Sequence, residues 1–227
     1  MKKIIYTTLF LLGILARFEA KAQYVMIQDA AGGNVVSTNG YVDVQGSMFL
    51  YPEWHSGTIT VANGKVYGNM NLKYDELNDK VYVKGPNNET ILLNEHITGF
   101  TVNYVDGNAG ALAKTFKSGF SNIPNTTAES YLEVLAEGKV ELLKRVNKYI
   151  QTNKEYNSAT STKEFLENQK YYLIKGGTVI AIKKDRKSIA SALPAFAAQI
   201  ETYSKENSLN FKQDPDLARL ISYLNTL

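Results

Sequence analysis

The chain of 227 residues contains no cysteine and only two histidines. Without cysteine there is no disulfide and no thiolate metal site, and no lipid anchor is expected at the N-terminus. Two histidines, His55 and His96, cannot supply the spacing of an H-E-x-x-H zinc site, and no spacing of carboxylates marks out another metal. Both histidines flank strand-like runs and are expected on loops, outside any catalytic role. No G-x-S-x-G elbow, P-loop or dinucleotide fingerprint occurs. Lys117-Ser118 and Lys187-Ser188 are adjacent pairs rather than positioned dyads. No metal and no cofactor is therefore expected.

What is present begins with MKKIIYTTLFLLGILARFEAKAQ. Lys2 and Lys3 form a basic start. Residues 4–15 form an apolar run of signal-peptide length, too short for a comfortable membrane span. Ala20-Lys21-Ala22 has the small-x-small pattern of a cleavage site, with Gln23 as the new N-terminus. The expectation is an exported protein, periplasmic or secreted, whose residues 1–22 are removed. An exported chain without disulfides must be held by an ordinary core, and its length allows one domain or one domain with an appendage.

Removal of the leader changes the charge. Four of the 25 basic residues and one of the 22 acidic residues lie in it, which leaves 21 of each. The basic character belongs to the leader, so nothing global argues for nucleic acid. The remaining charge is uneven. Residues 23–113 hold four lysines against nine acidic residues, and residues 114–227 carry a net charge of +5. A basic face in the second half would meet an acidic partner or lipid headgroups, which leaves a peripheral membrane contact open.

Period-2 alternation dominates the first two thirds. Residues 24–27 read as an edge strand. Val35-Val36 and Tyr41 to Val44 flank Asn39-Gly40, a hairpin signal. The aromatic run from Phe49 to Trp54 is broken by Pro52 and reads as an edge or crossing segment. Asn63-Gly64 turns a strand containing Ile59 and Val61 into one with Met70, Leu72 and Tyr74. Asp75-Glu76-Leu77-Asn78-Asp79 reads as the next turn rather than a calcium loop, since it lacks the EF-hand spacing and closing glutamate. Val81 and Val83, Ile91 and Leu93, then Phe100, Val102 and Tyr104 continue an antiparallel meander.

Residues 131–146 fit either a hairpin about Glu137-Gly138 or one amphipathic helix; Gly138 and the β-branched and aromatic content favour the hairpin. Residues 147–170 are polar and read as a long excursion. Gly176-Gly177 marks a last hairpin. Beyond it the period changes. Asp185 caps a helix to about Leu193, Pro194 opens a second with Phe196, Ile200 and Tyr203, and Asp214-Pro215 opens a third. Leu217, Leu220, Ile221 and Leu224 line one face of that third helix. The fold class expected is mainly β, an antiparallel meander curling toward a barrel or a two-sheet sandwich over residues 23–183. A tail of three short α-helices, residues 184–227, packs on it.

Three segments together resemble exported envelope proteins of Gram-negative bacteria. They are Gly46-Ser47-Met48-Phe49-Leu50, the N-G-K hairpin from Gly57 to Lys65, and the L-K-Y-D-x-x-N-D strand pattern from Met70 to Val83. Leu209-Asn210-Phe211-Lys212 before the last helix is similar too. The resemblance spans most of the chain beyond the leader and is one of strands and turns. It implies an envelope protein and carries no catalytic residue across.

Two features are candidates for binding. The chain has fifteen tyrosines and nine phenylalanines, and Phe49, Tyr51 and Trp54 cluster with Tyr41; aromatics with a polar handle suit interfaces and sugar stacking. Lys183, Lys184, Arg186 and Lys187 make a basic junction suited to phosphate or carboxylate groups. The function expected is a non-catalytic interaction module, accessory to another protein of the cell envelope. A carrier for a small apolar or lipid ligand is the alternative, followed by a hydrolase built on two converging carboxylates.

Overall fold

The structure, a computed structural model, describes residues 32–107, 110–154 and 161–227. The leader and the strand expected at residues 24–27 lie outside the described residues. Among the described residues there are twelve strands: β1 (Gly33–Val35), β2 (Val44–Gln45), β3 (His55–Val61), β4 (Val66–Asp75), β5 (Lys80–Lys84), β6 (Thr90–Leu93), β7 (Ile97–Asp106), β8 (Gly110–Lys117), β9 (Leu132–Ala136), β10 (Val140–Lys154), β11 (Ser161–Lys175) and β12 (Thr178–Ile182). Helix α1 (Arg186–Ala192), a 3-10 turn (Pro194–Phe196), α2 (Ala197–Glu206) and α3 (Asp214–Leu224) complete the chain.

The strands form one mostly antiparallel sheet in the order β1-β6-β5-β4-β3-β7-β8-β9-β10-β11-β12, with β2 attached to β11 off this path. The order never returns on itself. The sheet stays open, where the sequence raised a barrel or a two-sheet sandwich. The seam in its middle is short: β8 and β9 share only the register pairs Phe116 with Glu133 and Lys117 with Leu132. Beyond those pairs the two strands separate.

The expected turns sit where their residues allow. Gly64 has φ +83° in the β3–β4 turn, and Gly176 and Gly177 have φ +54° and +78° in the β11–β12 turn, values that only glycine adopts without cost. Asp75 holds the β4–β5 turn by accepting from the backbone N–H of Leu77 at 2.9 Å and of Asn78 at 3.0 Å. Residues 131–146 form the β9–β10 hairpin, not a helix.

Alternation places the core. Ile59, Met70, Leu72, Tyr74, Val83, Phe100 and Phe116 are buried in one cluster over the first half of the sheet. Over the second half the two faces differ. Tyr171 packs with Leu142, Leu173 and the helices, while its neighbour Tyr172 faces the other way, against Leu132, Leu143 and Ile123. Asp185 caps α1 by accepting from Ser188 N–H at 2.7 Å. In α3, Leu217, Leu220, Ile221 and Leu224 are all buried. An isolated helix of this length is marginal in water, and each such side chain contributes about 1.5–3 kcal/mol on burial, so tertiary packing holds it.

Three local expectations are corrected. Asn39-Gly40 does not join a hairpin: β1 pairs with β6, and β2 runs parallel to β11, so each flank finds a distant partner. The long polar excursion expected at residues 147–170 is paired as strand among the described residues. It continues β10 and β11 as a ribbon in register from Asn147 with Asn168 out to Lys154 with Ser161. His55 opens β3 rather than lying on a loop, and its Nδ1 lies 2.9 Å from the Asn103 carbonyl.

Candidate functional site

Phe49 bridges to Asp75 at the edge of β4, and Leu50 N–H donates to the Tyr74 carbonyl at 2.9 Å. Pro52 then carries the chain across to β3. This crossing brings two of the expected aromatics together: the Lys73 ammonium lies 4.9 Å from the Phe49 ring centre and 5.2 Å from that of Trp54. Both rings and the lysine are half-buried. Burial lowers the Lys73 pKa, partly offset by Glu53, and Lys84 lowers it further. Such a cation between two rings gains about 0.5–2 kcal/mol per contact, and the pair is already engaged. Tyr51 turns to other partners, His55 at 4.6 Å and Tyr104 at 5.6 Å between ring centres. Burial, with Tyr104, Glu133 and Glu76 nearby, pushes the Tyr51 hydroxyl up to about 12.

The basic junction divides. Arg186 pairs with Glu201 of α2 at 2.9 Å. Lys184 reaches inward, 2.6 Å from Asp214, with its ammonium 4.9 Å from the centre of the Tyr171 ring. Lys183 and Lys187 remain exposed.

Lys184 leads to a cleft of about 520 Å³ that opens where β8 leaves β9. Tyr104, Leu112 and Lys114 form the wall on β7 and β8, Glu133 and Leu135 that on β9, and Lys144 and Lys184 stand at the back. Lys212, Asp214 and Pro215, at the start of α3, close the far side. Asp214 is the hub. Its Oδ2 accepts from Lys144 at 2.8 Å, and its Oδ1 accepts from Lys184 at 2.6 Å and from the Tyr171 hydroxyl at 2.9 Å. Burial disfavours ionisation of Asp214, but hydrogen bonds from Lys144, Lys184 and Tyr171 outweigh it and hold the carboxyl below its ordinary value. Glu133 takes the Lys114 ammonium at 2.5 Å. Four ammoniums thus face two carboxylates. The excess positive charge suits an anionic group rather than an apolar tail.

Of the candidate surfaces the basic junction lines this cleft, through Lys184, while the aromatic segment touches its wall only by the contact of Tyr51 with Tyr104. Lys114, Glu133, Lys144 and Lys212 were not singled out from the sequence. Glu133 and Lys144 lie within strand runs of buried apolar residues and are themselves buried, which is the one local signal they leave.

Other buried charges fasten elements together. The Arg145 guanidinium forms a two-pronged pair with Asp79, with Nη1 to Oδ1 at 2.8 Å, and donates to the Tyr131 carbonyl at 3.1 Å. Lys148 lies 3.3 Å from Glu76 and donates to the carbonyls of Ser47 and Phe49. Burial raises the Glu76 pKa, and Lys148 pulls it back in part. Among the described residues no group of three or more metal-ligating side chains converges, and no helix is long and apolar enough to cross a membrane. No family model, curated protein or solved structure matches the chain.

Proposed function

We propose that this protein is a non-catalytic interaction module of the cell envelope, periplasmic or secreted, that binds another envelope protein. The observation that carries the reading is the protrusion of its hairpins beyond the core. At the end of β7–β8, Val105 is 80% exposed and Leu112 39%; on the β10–β11 ribbon, Tyr149 is 43% exposed. Apolar side chains raised on ribbons are suited to contact with a partner. The buried carboxylates Asp75, Glu76 and Glu133 support the same reading, because each is engaged by a turn or a lysine. The leader-like first 22 residues and the resemblance of residues 46–83 to envelope proteins support a location outside the cytoplasm.

The test is extraction of the tagged protein from its own envelope in mild detergent, then native sizing and mass spectrometry. A stoichiometric protein partner that slows hydrogen exchange at residues 49–54, 104–112 or 183–187 is expected. A monomer carrying only lipid or glycan overturns the module in favour of a carrier. An empty monomer removes the partner altogether.

A further inference from the structure

We infer that the wedge between β8 and β9 takes up an extended, acidic segment of a partner protein, which pairs with the open edge of β8 and sets its carboxylates among Lys114, Lys144, Lys184 and Lys212. This rests on the interaction-module reading and names its surface.

The edge comes first. From Gly110 to Thr115 the backbone of β8 is paired on the β7 side, in register from Asp106 with Gly110 to Thr101 with Thr115. On its other side, pairing with β9 starts only at Phe116. Among the described residues no strand pairs with that side of β8 from Gly110 to Thr115, and Gly110 to Ala113 are exposed. Such an edge is a template for an added strand. The free sheet ends are poorer templates. β1 has three residues, and β12 runs within four residues into α1. Lys114, the single charge between Gly110 and Thr115, is turned to Glu133 and so does not guard the edge.

The chemistry of the occupant follows from the walls. Tyr104 and Leu112 are cross-strand partners, as are Val102 and Lys114, so Leu112 and Lys114 share one face of β8. That is the face that buries Phe116 further along. Past Phe116, at Lys114 and Leu112, that face becomes the cleft wall. A strand added to β8 sends every second side chain to that same face. There it meets four ammoniums and two carboxylates. Asp214 serves Lys144 and Lys184 at once, and Lys212, exposed at the rim, shares in neither pair. Glutamate or aspartate at alternate positions of the incoming strand completes this charge set; lysine there is repelled.

The probe is a blocked peptide, Thr-Glu-Val-Glu-Val-Glu-Thr, against its lysine counterpart, added to the intact chain lacking residues 1–22. Binding is read by fluorescence anisotropy and by hydrogen exchange of residues 110–117. The acidic peptide is expected to bind about tenfold tighter than the basic one, to slow exchange at 110–115, and to lose most of that preference in about 0.5 M salt. Lys212→Glu, a change at an exposed residue, is expected to weaken the acidic peptide about fivefold with the unfolding midpoint unchanged. No binding, equal binding of the two peptides, or slowed exchange elsewhere with 110–115 unaffected overturns the inference. Those results leave the module standing if an envelope partner still protects residues 49–54. Slowed exchange at 110–115 with the acidic peptide, in a protein that extracts without any partner, upholds the wedge and removes the module.

Discussion

Asn225, at the end of α3, holds Val140 by both polar atoms of its side chain. Its Oδ1 accepts from Val140 N–H at 2.8 Å, and its Nδ2 donates to the Val140 carbonyl at 2.8 Å and to that of Glu137 at 3.0 Å. The amide acts as one residue of an extra strand at the β9–β10 turn, and it ties the last helix to the sheet. Asn225→Ala is expected to cost about 2–3 kcal/mol, because two backbone groups of a buried residue lose their partner. A urea titration reads this as a lower midpoint at unchanged slope. Gly138 lies under the same amide: a Cβ there falls 2.5 Å from Asn225 Nδ2, at φ +147°. Gly138→Ala should therefore cost less in the Asn225→Ala background than in the wild type. Equal costs in the two backgrounds mean that the amide does not press on the turn.

The Arg145–Asp79 pair makes a sharper claim about coupling. Asp79 has φ +55°, a conformation that asparagine also tolerates, so Asp79→Asn removes the charge and keeps the turn. The Arg145 and Asp79 side chains are 10% and 21% exposed. Loss of one partner from so enclosed a pair is expected to cost about 3 kcal/mol, and Arg145→Met a similar amount. The double variant should be clearly more stable than the sum of the two losses. A strictly additive cycle, measured by denaturant unfolding, removes the pair as a coupled unit.

Acid should weaken the hold on α3. The Asp214 carboxyl is held below its ordinary value of 3.8, so its ionised form is favoured by the folded state. Its contribution is present above that value and is lost as pH falls through the lower, folded-state value. Asp214→Asn is expected to cost about 2 kcal/mol near neutrality. The gap between wild type and variant should shrink as pH drops below 3.8. Thermal unfolding at a series of pH values reads the gap, and a gap constant down to the acid limit contradicts the assignment.

Protection should fall along the ribbon. Leu142 and Leu143 on β10 are fully buried, whereas Gln151 to Lys154 on the same strand are exposed. Amides at residues 151–153 are expected to exchange through local opening, and those at 142–143 only through global unfolding. Native-state exchange in low denaturant separates the two. A single free energy for both stretches would make the ribbon part of the cooperative core.

The ribbon also shows where sequence pattern stops informing. Alternation marks a strand because one face is buried. In β3, β4 and β5 it is, and Ile59, Leu72 and Val83 announce it. Past Asn147 most side chains of β10 and β11 are wet, β2 meets the ribbon only at Lys163 and Glu164, and the few apolar residues there, Tyr149, Ile150, Phe165 and Leu166, leave no period. Turns were legible for a different reason: Gly64, Gly176 and Gly177 are local necessities. The helix stripe Leu217, Leu220, Ile221 and Leu224 was legible because its burial needs only a flat apolar surface. The pairing of β1 with β6 and of β2 with β11, and the closed or open state of the sheet, depend on distant partners with no local mark. The cleft is less visible still. Lys114, Glu133, Lys144, Lys184 and Asp214 come from five elements or their borders. Of the residues expected to bind, only Lys184 lines the cleft, and Tyr51 reaches it through Tyr104.

Arg145 and Asp79 are separated by 66 residues, and Tyr74 and Arg145 by 71. The early hairpins close from neighbours in sequence, but the ion pair that fastens them waits for β10. Until that strand arrives, Asp79 and the half-assembled meander offer an unfilled socket to whatever chain is near. Closing that pair is expected to be a long-range step of folding that carries the entropy of the loop it closes. The interval before it is when the chain is most exposed to wrong strand partners. A helper that shields the first seven strands during that interval would raise the yield of folded protein without touching its final stability.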